Sequence, residues 1–148
     1  MKIRSGFVSN SSSSSFIIIG TGLDYILKDA YDGETLVVDN NFGTTEFGWG
    51  PEAVNDAGSR IIFAYIQAMY AKRDDWLELL DKVIKAHTGC DSIIWEITTD
   101  YSSNDFAYID HASNAGEGKN IEMFESEHSL LQFLFERNSS IMLDNDNY

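Results

Sequence analysis

Two helical patterns follow one another in the middle of this chain, and strand patterns flank them on both sides. Apolar residues recur at helical spacing within residues 52–72, and a second helix is predicted over residues 75–87. The second segment has acidic residues near its start and basic residues near its end, which is the arrangement that the helix dipole favours. The whole order is strands, two helices, strands, a helix and a strand, and it favours an α+β fold over a regularly alternating β/α array.

The predicted strands are short. Before the helices they cover residues 16–19, 35–39 and 44–47, and after them Ile93, Trp95 and Ile97 mark a half-buried strand that pairs with residues 106–109 in a long-looped hairpin. Ser126 is placed to cap a third helix, and residues 139–143 form a last strand. We therefore predict a mainly antiparallel sheet packed against two or three helices.

The composition fits one domain of ordinary size. The chain has 148 residues, of which 43% are apolar and 13% aromatic, so the disordered, charge-dominated class is excluded. We expect a flexible serine-rich segment over residues 1–15, because Ser11 to Ser15 have no apolar periodicity. A single α+β domain is predicted for residues 16–143 and a polar tail for residues 144–148.

The single cysteine, Cys90, excludes an intramolecular disulfide and favours a reducing compartment. The longest early apolar run is too short for a signal peptide, and no stretch approaches the length of a membrane span. A cytoplasmic protein without an anchor is expected.

The chain is strongly acidic, and its charge is uneven. The formal net charge is −14, of which −10 falls on residues 91–148, where Lys119 and Arg137 are the only cations. Such a surface repels phosphate backbones and attracts basic proteins, so we expect no direct nucleic-acid binding. The expected partner is a basic protein, for example a nucleic-acid-binding protein. The residues assigned to this binding surface are Asp100, Asp105, Asp110, Glu117, Glu122, Glu125 and Glu127.

An enzymatic alternative rests on Cys90. A catalytic thiol needs an electropositive, partly exposed setting, and His87 or His111 could provide the imidazole. No metal site is predicted, because His87, Cys90, His111 and His128 do not form a zinc-binding spacing. No cofactor is expected either, since the glycine pair at Gly20 and Gly22 lacks the third glycine of a dinucleotide turn.

The opening of the chain carries a resemblance. Residues 3–16 read IRSGFVSNSSSSSF, and this string resembles the start of many small proteins of unassigned activity encoded by bacteriophages and bacteria. A weaker similarity to phage proteins covers residues 46–52 and 59–70. The resemblance implies a phage or mobile-element origin, and a location in the host cytoplasm if a phage encodes the chain. It implies no residue roles.

These observations favour a non-enzymatic, phage-type accessory protein that binds a protein partner through its acidic C-terminal half. A sharper form of the hypothesis is mimicry of DNA, in which carboxylates occupy the basic groove of a host factor. The alternatives are the small thiol-dependent enzyme and a virion or assembly component. The oligomeric state stays open.

Overall fold

The computed structural model describes residues 13–47, 52–100, 106–109 and 120–145. Its helices and strands confirm the predicted α+β fold. In chain order the elements are β1 (Ser13–Ile18), β2 (Thr35–Val38), β3 (Glu46–Phe47), β4 (Glu52–Val54), α1 (Ala57–Ala71), α2 (Asp74–Thr88), β5 (Ser92–Trp95), β6 (Tyr108–Ile109), α3 (Glu127–Phe135) and β7 (Ser140–Asn145). A short 3-10 turn, Glu122–Glu125, leads into α3.

The strands form three small sheets. An antiparallel sheet has the order β1–β7–β4, with Phe16 opposite Met142 and Ala53 opposite the same methionine. The other two sheets are parallel pairs, β2 with β5 and β3 with β6. The hairpin that we predicted between β5 and β6 is therefore wrong, because each of these strands pairs with an earlier one. A backbone hydrogen bond from Ala107 N to Thr98 O (2.6 Å) still joins the segments beside them.

Helix α1 lies at the centre of the core. Residues Ile61 to Ala64 are all fully buried, so the helix is enclosed on most sides, as expected for a helix that is apolar all round. It starts at residue 57 rather than near 52, because Glu52–Val54 pairs with β7 as strand β4. Asp56 caps it by accepting a hydrogen bond from Ser59 N (2.9 Å).

The serine run and the polar tail both contribute to the sheet, contrary to expectation. Ser13–Ser15 form the first half of β1 and lie opposite Leu143–Asn145, so β7 extends beyond the predicted residue 143. Pairing with a distant strand has overridden the low strand propensity of serine. The remainder of the predicted flexible segment, residues 1–12, lies outside the described residues.

The outer edge of β1 is closed by a side chain. Asn120 donates from Nδ2 to Ser15 O (2.8 Å), and its Oδ1 accepts from Ile17 N (3.4 Å). One amide thus makes the two hydrogen bonds that a residue of a neighbouring strand would make at the centre of this edge. This arrangement protects an edge that would otherwise invite pairing with another chain.

A buried arginine closes the C-terminal end of α3. Arg60 on α1 has no exposed surface, and its Nη1 donates to Phe133 O (3.1 Å) and to Glu136 O (2.6 Å). These carbonyls belong to the last turn of α3, where intrahelical donors run out. Burial lowers the pKa of the Arg60 guanidinium to about 10, while the nearby Asp56 and Glu136 carboxylates raise it. The side chain is therefore a cation at neutral pH.

Candidate functional site

A groove of about 400 Å³ lies between α2 and α3. Its volume is within the range of pockets that bind small molecules or single side chains of a partner. Residues of α2 form one wall and residues of α3 form the other. The lining residues are Lys82, Val83, Ala86, His87, Glu127, His128 and Leu131.

The groove has an apolar floor and a charged rim. Val83, Ala86 and Leu131 supply the apolar surface. Across the opening, Lys82 Nζ lies 2.5 Å from Glu127 Oε2, and both side chains are mostly exposed. An exposed ion pair of this kind contributes little to stability, about 0–1 kcal/mol, so a competing charge can open it.

Local sequence signals hold both helices in place. Helix α2 has Asp74 and Asp75 in its first turn, where the helix dipole favours negative charge. Gly89 ends the helix in the left-handed conformation, with a φ of 80°. Ser126 caps α3 as predicted, accepting from Ser129 N (3.0 Å). The predicted second and third helices are therefore confirmed.

An aromatic pair fixes the approach to α3. Phe124 in the 3-10 turn stacks on Trp76 of α2, with ring centroids 4.5 Å apart and planes within 1° of parallel. The guanidinium of Arg73 lies 4.3 Å from the centre of the same Trp76 ring. This stack places the 3-10 turn, and with it Glu122 and Glu125, beside the start of α2.

His87 is held by packing and by one hydrogen bond. Its ring stacks on Phe135 with centroids 4.3 Å apart, and Nε2 lies 2.7 Å from Ile26 O. Because a carbonyl oxygen only accepts, Nε2 must carry the proton. In the neutral imidazole the lone pair is therefore on Nδ1.

Cys90 lies in the core. Only 5% of its surface is exposed, and it follows Gly89 at the end of α2. A buried thiol in apolar surroundings is a poor nucleophile, since reactive cysteines are partly exposed and lie near positive charge. His111, the other proposed imidazole, lies outside the described residues.

We therefore expect Cys90 to react slowly. In the native chain, alkylation by iodoacetamide at pH 7.5 should be at least about 100-fold slower than in the urea-unfolded chain, because reaction requires opening of the structure. The measurement is mass spectrometry of the intact chain over time, and the single cysteine makes it unambiguous. Rapid native-state alkylation at neutral pH would instead favour the thiol-enzyme hypothesis.

The structure brings three of the seven predicted binding residues together. All three are exposed: Glu127 lines the groove from the first turn of α3, and Glu122 and Glu125 lie on the 3-10 turn that directly precedes it. Asp100 is exposed but follows β5, outside the groove lining. The other three, Asp105, Asp110 and Glu117, lie outside the described residues.

Sequence reasoning missed the groove itself. Val83, Ala86 and His87 share one face of α2, and Glu127, His128 and Leu131 share one face of α3. These spacings of three and four residues were visible as helical faces. What was not visible is that the two faces lie against each other, because that depends on tertiary packing.

The described residues contain no group of three or more His, Cys, Asp or Glu side chains placed to hold a metal ion. Within the same part of the chain, no helix combines the length and the apolar character needed to cross a membrane. Comparison with protein-family models, curated proteins and solved structures gives no match.

Proposed function

We propose that this chain is an accessory protein that binds a basic protein partner, and that the α2–α3 groove receives an apolar side chain of that partner. The observation behind the proposal is the groove, with its apolar floor beside three exposed carboxylates. An apolar anchor surrounded by charge is a common plan for protein interfaces. The resemblance of residues 3–16 to phage and bacterial proteins supports a bacterial partner.

The charge of the rim favours a basic partner. Lys82 is paired with Glu127, and Lys85 is paired with Asp81 (2.9 Å), so both cations near the groove already have an acidic neighbour. Glu122 and Glu125 add further negative charge at the same end. A positive partner would be attracted from a distance, and its binding would weaken as salt screens the field.

The proposal is tested by capture with the immobilised full-length chain. Bacterial lysate is passed over wild type and over Ala86→Trp, in which a large side chain fills the groove from an exposed helical position. We expect Ala86→Trp to lower recovery of the captured protein by about tenfold or more, as loss of an interface anchor does. Met69→Trp is the matched control, because Met69 is an exposed position on α1 away from the groove lining.

The electrostatic part has its own variants. The double variant Glu122→Gln with Glu125→Gln should weaken capture at low salt. The matched control, Asp29→Asn with Glu46→Gln, removes the same charge from exposed positions elsewhere and should leave capture nearly unchanged. Elution by salt of about 0.5 M is expected, because exposed charges are then screened beyond a few ångströms. Capture that survives both Ala86→Trp and high salt would overturn the proposal.

A further inference from the structure

The parallel pair β2–β5 has an uncovered side. Val37 lies opposite Ile94 in the register, and these side chains are 39% and 47% exposed. Next to them, the hydroxyls of Thr35 and Ser92 are 3.1 Å apart. Parallel strands are usually covered on both faces, so exposed aliphatic neighbours on such a pair call for an explanation.

The opposite side of the same pair is firmly packed. Leu36 and Val38 are buried, and Trp95 stacks on Tyr65 of α1 with ring centroids 4.3 Å apart and planes 7° from parallel. The strands are therefore held rigidly on the core. Any partner of the uncovered side would meet a preformed surface, which lowers the entropic cost of binding.

Carboxylates flank the apolar pair at both ends. Glu34 and Asp91 directly precede the two strands and are joined by the bond from Asp91 N to Glu34 O (2.8 Å). Asp39 and Glu96 directly follow them, and strand alternation places these two on the side of Val37 and Ile94. We call the surface made by Thr35, Val37, Asp39, Ser92, Ile94 and Glu96 the β2–β5 outer face.

No ion pair neutralises this charge within the described part of the chain, where Asp39 Oδ1 accepts one backbone hydrogen bond, from Asn41 N (3.0 Å). The ion pairs found there involve other carboxylates. Like charges at neighbouring positions of adjacent strands are destabilising. A cation placed between Asp39 and Glu96 would remove that repulsion, so the face is complementary to a basic partner.

The free edge of β2 defines how a partner can bind. Val38 O accepts from Glu96 N (2.8 Å), so the hydrogen-bonding groups of Val38 face β5. Because successive residues of a strand alternate, the N–H and C=O of Val37 point to the other edge. The described residues place no strand there. The edge of β1, by contrast, is closed by Asn120.

We infer that β2 receives a third strand from a partner segment in which an aliphatic residue and a basic residue, two positions apart, share one face. The backbone of that segment pairs with Val37, its aliphatic side chain lies against Val37, and its Lys or Arg reaches Asp39 and Glu96. This is binding by strand addition, in which main-chain bonds give affinity and side chains give specificity. A second copy of β2 is disfavoured, since it would bring Glu34 and Asp39 toward the same carboxylates.

The inference goes beyond the proposed groove, and its test separates the two. The full-length ¹⁵N-labelled chain is titrated with a capped seven-residue Lys–Val peptide, Thr-Val-Thr-Lys-Thr-Val-Thr, whose valines and lysine share one face of a strand. The controls are a Lys–Pro peptide, in which prolines replace the threonines, and a Glu–Val peptide, in which Glu replaces the lysine. We expect saturable shifts within residues 34–39 and 91–96 with Lys–Val only, and amide exchange at Val37 slowed by about tenfold or more. The Lys–Pro peptide carries the same charge, but its prolines have no backbone N–H to pair with β2, so it controls for simple charge attraction.

Variants complete the test. Asp39→Asn with Glu96→Gln should weaken Lys–Val binding by about tenfold at low salt. Val37→Lys, at an exposed position, should abolish that binding, while Ala86→Trp should leave it unchanged. Equal shifts with Lys–Pro, or unchanged exchange at Val37, would overturn strand addition. Loss of Lys–Val binding in Ala86→Trp would also overturn strand addition at β2, because it would show that the peptide occupies the α2–α3 groove.

Discussion

Replacing Arg60 with methionine is expected to lower the free energy of unfolding by about 3–5 kcal/mol, the usual cost of removing one member of a buried charge cluster. Methionine keeps much of the side-chain volume but cannot donate a hydrogen bond. Phe133 O would lose the bond from Arg60, and Glu136 O would keep only the bond from Ser139 N (3.1 Å). The fully buried Glu136 side chain would lose its cationic neighbour. Urea unfolding followed by circular dichroism measures the loss.

Two comparisons identify the cause. Arg60→Lys keeps the positive charge and should lose less stability than Arg60→Met. In the Arg60→Met background, Glu136→Gln removes the buried carboxylate, so part of the lost stability should return. The double-mutant cycle then gives the coupling free energy between Arg60 and Glu136. A loss below about 1 kcal/mol for Arg60→Met would show that water replaces the guanidinium at the end of α3.

Replacing Gly58 with alanine should also destabilise the chain, although the same change in most helices is stabilising. Alanine in a helix is normally favoured over glycine by up to about 1 kcal/mol. At Gly58, however, a methyl group would clash with the backbone oxygen of Phe42 and lie 3.2 Å from its ring. We expect a net loss of about 2 kcal/mol or more, because the backbones of α1 and the 42–44 loop must separate.

Gly33 is the contrasting position. It has a φ of 76°, and a methyl group there would meet no atom within 4 Å. Gly33→Ala should therefore cost only the left-handed conformation of alanine, about 1 kcal/mol. Thermal unfolding of Gly58→Ala and Gly33→Ala, measured side by side, shows which variant loses more stability. If Gly58→Ala were as stable as wild type, the close approach between α1 and Phe42 would not exist in solution.

The elements that the sequence predicted best are those set by local chemistry. Helix α2 was expected over residues 75–87 and runs from Asp74 to Thr88, because its terminal charges and Gly89 act within the helix itself. The Ser126 cap of α3 is local in the same way. Each of these features can be recognised without knowing what the helix packs against.

Strand pairing was predicted poorly because it is decided between distant segments. Nothing near Ser13 indicates that the serines pair with Leu143–Asn145, and nothing near Ile93 indicates a parallel neighbour at Leu36. The candidate functional site shows the same contrast between features set by local sequence and features set by tertiary packing. Glu122, Glu125 and Glu127 were chosen for their charge, whereas the groove beside them depends on the contact of α2 with α3.

The position of β7 has a consequence for synthesis of the chain. It is the middle strand of the antiparallel sheet, yet it follows every other described element in the sequence. While the ribosome is still making the chain, β1 and β4 have been produced but have no neighbour to pair with. The helices can pack early, and closure of the sheet must wait until the last strand has left the exit tunnel. A nascent chain stalled before Ser140 should therefore be sensitive to protease at β1 and β4 while α2 is already protected.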